Sequence, residues 1–292
     1  MIDFVQLVVS GLATGAIYAL VAIGFALLWQ TSNAVNFAQG EFVMLPAFVV
    51  LALIKAFDLP LWLAAAIALV VAVVIMGGLF KRAIVDAILP QGAMTLAIAT
   101  IGLAVAMKNG VRAGYSAEAH PFPALFPVEP IRILGVGFSL ADIGALVLAG
   151  VAIGGLSLFL AHTLAGRQMQ AAAQNRDAAL SLGIDVDRMA LYTFGINAAL
   201  ATVAALLVTP SYLAKFDMGE SLGLYAFYAA IIGGFNRVLG ALWGGLIVGV
   251  LSNLAGAYLS ASYKDGFVLA LLIVVILFRP EGLFGSSEER KV

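Results

Sequence analysis

The chain has 292 residues, of which 63% are hydrophobic and 11% charged, and its formal net charge is −1. Soluble domains carry roughly 45–50% apolar and about 25% charged residues, because a globule in water needs a polar surface. The composition therefore excludes an ordinary soluble domain and indicates a protein whose main solvent is lipid.

Long apolar stretches run through the chain. Those without Asp, Glu, Lys or Arg are Phe4–Gln30, Phe42–Ile54, Leu59–Phe80, Gly92–Met107, Ile143–Ala161, Met189–Ala214, Ser221–Asn236, Val238–Tyr263 and Gly266–Phe278. Crossing a bilayer takes roughly 20 helical residues. The stretches that begin at Phe42, Gly92, Ser221 and Gly266 are short or broken. We predict an all-α, polytopic transmembrane bundle of about eight or nine spans, some of them short or re-entrant, in a single domain over residues 1–292.

The first apolar run is expected to be retained as a span. Its leader, Met1–Phe4, has no Lys or Arg, and the run is too long for a signal-peptide core. Thr14 and Tyr18 lie four residues apart on one face of this helix. They either line a pathway together or hydrogen-bond within the bundle, and we favour the second interpretation.

The stretch TSNAVNFAQGE, residues Thr31–Glu41, is polar but has a single charged side chain. Lipid would leave its polar groups unpaired at several kcal/mol each, whereas an exposed loop would usually carry more charge. Protein-lined surroundings fit best, and we predict a structural or gating role for Asn36, Gln39 and Glu41. Direct contact with a substrate and a simple loop are the alternatives.

Glu41 would cost on the order of 2.5–3.5 kcal/mol if it faced lipid at mid-membrane, so it is expected to face the bundle or an interface. Asn197, inside a charge-free stretch, follows the same logic. The candidate residues of a substrate pathway are therefore Thr14, Tyr18, Asn36, Gln39, Glu41 and Asn197.

Residues Tyr115–Gly137 form a long loop with four prolines, which prevent a regular helix. If the spans alternate, the loop is extracytoplasmic. It is either a connector packed on the membrane face or a docking surface for an external partner.

A polar, alanine-rich passage, GRQMQAAAQNRDAALSLGIDVDR, occupies Gly166–Arg188 between two apolar runs. Arranged as one helix, it places Met169, Leu180 and Ile184 near one face, with Ala172 and Ala173. Gly183 is a plausible C-terminal stop. The pattern by itself predicts a short, weakly amphipathic surface helix, either a plain linker or a low-relief docking element.

Cationic residues near span ends favour the cytoplasmic side. With alternating spans, the larger set is Lys81, Arg82, Arg167, Arg176, Arg188, Arg237, Arg279, Arg290 and Lys291, and the smaller set is Lys55, Lys108, Arg112, Arg132, Lys215 and Lys264. This bias predicts that residues 166–188 and the C-terminus are cytoplasmic, and it leaves the side of the N-terminus open.

The sequence contains no recognisable catalytic, metal-binding or nucleotide-binding motif. It has no cysteine, and its two histidines, His120 and His162, lie far apart, so we expect neither a disulfide nor a metal site. No Gly-rich ATP-binding motif and no hydrolase motif occur. We expect a protein that moves something and is not an enzyme. Small-x-x-x-small spacing at Gly240, Gly244, Gly245 and Gly249 indicates close helix packing, within the chain or, as the alternative, between subunits.

The passage at 166–188 resembles the cytoplasmic loop of permease subunits of ATP-binding-cassette importers, especially the high-affinity branched-chain amino acid permeases. The shared pattern is carried by Gly166, Arg167, Ala171, Asn175, Ala178, Ala179, Gly183 and Ile184, with Arg176 and Asp177 at its rim. The resemblance implies that these residues dock in a groove of the ATPase subunit and transmit its closure.

Two further regions carry the same resemblance. GLATGAIYALVAIGFALLW and VNFAQGEFVML are similar to the family's N-terminal region, although many relatives have His where Gln39 stands. AAIIGGFNRVLGALWGGLIVGVL and YKDGFVLALLIVVILFRPEGLFG are similar to its C-terminal spans. The resemblance covers almost the whole chain, in the right order.

It implies a permease subunit in the bacterial cytoplasmic membrane that translocates branched-chain or similar small amino acids. The partners implied are a second related permease, two cytoplasmic ATP-binding subunits that hold ATP and Mg²⁺, and an extracytoplasmic solute-binding protein; this chain holds no cofactor. The alternatives are the same machine carrying urea, amides or aromatic acids, and a gradient-driven secondary transporter. The latter would want paired intramembrane ionisable residues, for which Glu41 alone is thin support.

Overall fold

The computed structural model describes residues 2–127, 131–133 and 136–285. Its α-helices are α1 (Ile2–Ser32), α2 (Gln39–Phe57), α3 (Leu61–Ala72), α4 (Asp86–Ile88), α5 (Ala93–Gly114), α6 (Leu140–His162), α7 (Leu164–Gln174), α8 (Arg176–Ser181), α9 (Val186–Tyr212), α10 (Met218–Gly233), α11 (Val238–Tyr258) and α12 (Lys264–Phe278). The fold class is all-α, as predicted, apart from one short β-hairpin.

Within the described residues, 7 helical stretches are long and apolar enough to cross a membrane: Phe4–Ser32, Gln39–Phe57, Leu61–Gln91, Ala93–Gly114, Leu140–His162, Val186–Tyr212 and Val238–Tyr258. Two stretches expected to be short, those beginning at Phe42 and Gly92, lie in full-length helices. The reason is that α2 and α5 continue past their charge-free cores to Lys55 and Arg112. α10 and α12 are shorter, with 16 and 15 residues.

α1 is the central helix of the bundle. Of its most apolar window 89% is buried inside the protein, against 17% for α5 at the periphery. The line of glycines in α11 explains how closely another helix can approach α1. A β-carbon on Gly15 would lie 2.8 Å from the carbonyl oxygen of Gly245, and one on Gly11 would lie 2.8 Å from Cα of Val250. The small-residue spacing therefore serves packing within the chain.

The helix that starts at α3 changes its hydrogen bonding halfway. Val73–Leu79 and Lys81–Val85 are π-helical, and we call residues 73–85 the π segment. The Phe80 amide donates to the Ile75 carbonyl and the Asp86 amide to the Lys81 carbonyl, five residues back in each case. π-Helices are rare and usually limited to single turns, often at functional sites.

The proline-rich loop is closed by backbone contacts rather than by a helix. His120 and Ala214 exchange two backbone hydrogen bonds of 2.9 Å, and Phe122 is buried. Beyond them, β1 (Ile131–Ile133) pairs antiparallel with β2 (Val136–Phe138). The loop was expected over Tyr115–Gly137, and its residues 128–130 and 134–135 lie outside the described part of the chain.

Candidate functional site

The polar stretch is a shorter break than the sequence suggested. α1 continues through Ser32, and α2 begins at Gln39, so Glu41 lies in the first turn of a helix and not in a loop. The hydroxyls of Thr31 and Ser32 donate back to the carbonyls of Leu27 and Leu28, which allows polar residues to extend an apolar helix. Only residues 33–38 leave helical geometry.

Side chains hold this break together. Asn33 has a positive φ of 48°, where the chain turns out of α1. Asn36 accepts the Ala38 amide on Oδ1 at 3.1 Å and the Gln39 amide on its backbone carbonyl at 3.2 Å. The Phe37 amide donates to Oγ1 of Thr100, in α5, at 3.0 Å. The break is therefore fixed to α5, and Asn36 and Ala38 are buried while the Phe37 side chain is exposed.

Gln39 and Asn197 form a reciprocal amide pair. Gln39 Nε2 donates to Asn197 Oδ1 at 2.6 Å, and Asn197 Nδ2 donates to Gln39 Oε1 at 2.9 Å. Both side chains have 0% exposure. Gly24 makes room for the pair, because a β-carbon there would overlap both amides. The pair joins α1, the start of α2 and the middle of α9.

Glu41 is buried at the crossing of α2 and α10. Its side chain is 4% exposed, and Oε2 has no hydrogen-bond partner within the described residues. A β-carbon on Gly219 would lie 2.7 Å from that oxygen and 2.7 Å from the carbonyl oxygen of Gly40. The two helices thus meet backbone to backbone at Gly40, and Glu41 faces the bundle, as its cost in lipid requires.

Thr14 and Tyr18 differ in their contacts. The Thr14 hydroxyl donates to the Ser10 carbonyl of its own helix at 3.0 Å. Tyr18 is buried and stacks on Tyr225 of α10, with ring centroids 5.0 Å apart and planes at 3°, and the Tyr225 hydroxyl donates to Asp265 of α12. Thr14 therefore bonds within its own helix, whereas Tyr18 joins α1 to α10 by ring stacking.

Residues 166–185, the part of the polar passage that precedes α9, lie in two helices, α7 and α8, rather than in one; we call them the coupling segment after the role that the resemblance implies. Asn175 adopts an extended conformation (φ −154°, ψ 106°) and caps α8 by accepting the Ala178 amide on Oδ1 at 2.9 Å. An Asn side chain competes well for backbone groups, so it ends α7 and starts α8 at the same position. The prediction of a single helix was wrong for this reason.

The interruption also changes which residues are buried. Met169 is buried as expected, but Leu180 is 52% exposed, and Ala179 is the buried residue of α8. Gly183 follows the end of α8 with a positive φ of 78°, and the Ile184 amide donates back to the Ala179 carbonyl at 3.0 Å. This is the expected glycine stop.

The remaining pattern residues occupy distinct positions. Gly166 packs against the end of α6, where a β-carbon would lie 2.6 Å from Cα of Leu160. Ala171 and Ile184 are half-buried, whereas Arg167, Arg176, Asp177 and Ala178 are exposed. The segment is therefore anchored at Gly166 and offers α8 to solvent.

The candidate residues fall into two groups rather than one site. Asn36, Gln39, Glu41 and Asn197 lie within the bundle, and the coupling segment lies at one end of it. α9 joins them, because it begins directly after the coupling segment and carries Asn197.

Lys81 and Asp187 were missed. In the sequence Lys81 counted only as a cationic residue near a span end and Asp187 only as part of the polar passage 166–188, and their pairing spans more than a hundred residues. No local pattern announces it.

Comparison with known proteins finds similarity along almost the whole chain. The chain matches the family model described as branched-chain amino acid transport system / permease component over residues 7–276. It is 32% identical over 302 residues to the high-affinity branched-chain amino acid transport system permease protein LivH of Salmonella typhimurium, covering 99% of this chain and 98% of the relative. It is 31% identical over 301 residues to the corresponding protein BraD of Pseudomonas aeruginosa, with the same coverage.

A more distant relative has the same type of name. The probable branched-chain amino acid transport permease protein LivH of Methanocaldococcus jannaschii is 29% identical over 280 residues, which cover 91% of this chain and 88% of the relative. No solved structure matches the chain significantly. The apolar helices and these permease relatives make it a multi-pass membrane protein. Since the family match spans most of the sequence, the chain belongs to the family of branched-chain amino acid transport system permease components.

Proposed function

We propose that this chain is the membrane-spanning permease subunit of an ATP-driven importer in the bacterial cytoplasmic membrane, and that its cargo is a branched-chain or similar small amino acid. The observation that carries the proposal is the nearly end-to-end similarity to two high-affinity branched-chain amino acid permeases, at 32% and 31% identity. The chain itself is a conduit without catalytic residues. ATP and Mg²⁺ are bound by partner subunits.

The partners follow from the same proposal. Two cytoplasmic ATP-binding subunits supply the energy, a second related permease completes the pathway as a heterodimer, and an extracytoplasmic solute-binding protein delivers the cargo. The coupling segment supports the first of these. Leu180 and Leu182 are 52% and 79% exposed between the charged Arg176 and Asp177 and the stop at Gly183. Two neighbouring exposed leucines on an otherwise polar element support docking of another protein at this surface.

The helix contacts support nine crossings. α11 runs antiparallel to α1, because Gly11 lies nearest Val250 while Gly245 lies nearest Ala19. α10 must therefore carry the chain from the side where α9 ends to the other side. After α12, the Leu283 amide donates to the Ile232 carbonyl at the end of α10, at 2.8 Å, so α12 crosses back. With residues 166–188 and the C-terminus cytoplasmic, nine crossings start the chain outside.

Within the bundle, we assign Asn36, Gln39, Glu41 and Asn197 to gating rather than to permanent contact with the cargo. All four are buried against other helices of the chain. They reach a pathway only when α2 moves relative to α9 and α10. Displacement of the coupling segment by the ATPases is the event that moves α9.

The test is uptake into proteoliposomes that contain this chain, its second permease, both ATPase subunits and the binding protein. We expect uptake of leucine, isoleucine or valine that stops when ATP is removed. Uptake of urea, amides or aromatic acids instead would transfer the proposal to another cargo. Uptake that ignores ATP but stops when the proton or sodium gradient is dissipated would refute it in favour of a secondary transporter.

A variant of the coupling segment tests the mechanism. Leu182→Glu places a charge on the exposed surface and is expected to abolish co-purification of the ATPase subunits while membrane insertion is unchanged. Leu259→Glu is the matched control, since Leu259 is 64% exposed beyond the far end of α11. Normal ATPase binding by Leu182→Glu would argue against docking through α8.

A further inference from the structure

Lys81 is the one lysine that the described residues bury almost completely, and the proposed function leaves it without a role. Its side chain is 2% exposed. Nζ contacts Oδ1 of Asp187 and lies 3.0 Å from Oδ2 of Asp86, and these carboxylates are 71% and 43% exposed. The ammonium is thus inside the fold while both counter-charges lie at its rim. A lysine so placed needs its partners, because an unpaired buried charge is expensive.

The π segment makes the pair with Asp86 possible. In an α-helix of 3.6 residues per turn, positions five apart point about 140° away from each other. Bonding to the fifth residue back, as Asp86 does to Lys81, brings the two side chains close to one face. The unusual backbone and the buried ammonium therefore belong to one arrangement.

The other partner lies at the exit of the coupling segment. Asp187 is in the first turn of α9, two residues after Asp185, which caps this helix by accepting the Arg188 amide at 3.0 Å. Further along, α9 and the π segment stay in contact. A β-carbon on Gly77 would lie 2.9 Å from Cα of Gly195, and the rings of Phe80 and Phe194 are 5.8 Å apart.

The π segment in turn contacts the helix that carries the polar pair. Phe80 packs edge-on against Phe42 of α2, with ring centroids 5.0 Å apart. Phe42 follows Glu41 directly and lies one turn from Gln39. A continuous set of contacts thus leads from the coupling segment through Asp187, Lys81 and Phe80 to the start of α2.

We propose that Lys81 is a positioning residue for transport: through Asp187 it fixes the exit of the coupling segment to the π segment, so that displacement of the segment moves the π segment and α2 as well as α9. This inference rests on the proposed function. This ion pair joins two elements whose relative position the ATPases are proposed to change, so we expect its loss to affect transport as well as stability.

Lys81→Met and Asp187→Asn are suitable variants, because each removes one charge and neither leaves a buried charge without an ion-pair partner. Methionine leaves two solvated carboxylates, and Asp187→Asn leaves Lys81 with Asp86. In the complete reconstituted transporter, we expect both variants to bind the ATPase subunits and hydrolyse ATP while import per ATP falls about tenfold, a typical coupling between sites. The double variant should lose no more than either single one. Lys55→Met is the control, since Lys55 is exposed, lies over the Tyr115 ring and has no ion pair among the described residues.

A second readout does not depend on transport. The chain has no cysteine, so spin labels at L182C and R82C report one distance, from the coupling segment to the end of the π segment. In the isolated chain in nanodiscs, Lys81→Met and Asp187→Asn should broaden that distance distribution, and Lys55→Met should leave it unchanged. An unchanged distribution together with import per ATP within twofold of wild type would overturn the inference alone. Absence of ATP-driven import by the wild-type complex would overturn the proposed function and the inference with it.

A purely stabilising role for Lys81 predicts something else. Both variants would then lower the thermal midpoint of the chain, and import per ATP hydrolysed would stay the same. That outcome also refutes the proposal.

Discussion

Replacing Gln39 by leucine tests whether the polar pair holds α2 to α9. The change removes two hydrogen bonds, of 2.6 and 2.9 Å, between side chains with 0% exposure, and it leaves the Asn197 amide buried without a partner. Hydrogen bonds between membrane helices contribute about 0.6 kcal/mol each on average and up to about 1.7. Two of them give roughly 1–3 kcal/mol, and we expect a loss near 2 kcal/mol, or about 30-fold in the unfolding equilibrium.

The double variant Gln39→Leu/Asn197→Leu separates the hydrogen bonds from the loss of packing. Two apolar side chains leave no unpaired amide, so the double variant should lose less than the sum of the single ones, with an interaction free energy of about 1–2 kcal/mol. The free energy of unfolding of wild type, the two single variants and the double variant is measured by reversible unfolding in mixed detergent micelles. Thr202→Val is the control on the same helix, because the buried Thr202 hydroxyl donates only to the Ala198 carbonyl one turn back. Additive losses, or a loss for Gln39→Leu no larger than for the control, would refute the reasoning.

Two further predictions are tested by the same unfolding measurement and by amide hydrogen exchange, respectively. Gly15→Ala should destabilise the chain by about 1–3 kcal/mol, since the added β-carbon would lie 2.8 Å from the backbone of α11. The control is Gly150→Ala in α6, where a β-carbon would have nothing within 4 Å, and this variant should be neutral or slightly stabilising. Equal effects of the two variants would contradict the packing argument. Asn175→Ala should remove the cap of α8 at a cost of about 1 kcal/mol, seen as faster amide hydrogen exchange in Ala178–Ser181 with α9 unchanged; protection equal to wild type would mean that α8 does not depend on its cap.

The helices themselves follow from the sequence with few exceptions. Each charge-free stretch has most of its length in a helix, because apolar residues in lipid must satisfy their backbone within one segment. The ends were harder to predict. α1 extends over Thr31 and Ser32 because hydroxyls bond back to their own helix, and α2 includes Lys55 because a long charged side chain can stay near the interface.

The coupling segment shows where periodicity fails. The helical pattern of the sequence continues across Asn175, yet that residue ends α7, and its side chain caps α8. Its conformation decides whether Leu180 or Ala179 is buried. The hydrophobic pattern of the whole segment does not reveal that the helix axis changes direction at one residue whose side chain accepts a backbone hydrogen bond.

The sequence by itself determined that the chain lies in lipid, that its polar stretch needs partners, and that Glu41 and Asn197 face protein, because unpaired polar groups are costly there. Only the tertiary structure decided which partners they take: Asn197 meets Gln39 across α1, and Lys81 reaches Asp187 through a π-helical turn. These pairs join residues more than a hundred positions apart. Their geometry depends on how closely glycines such as Gly24 and Gly77 let the helices approach, which local sequence does not record.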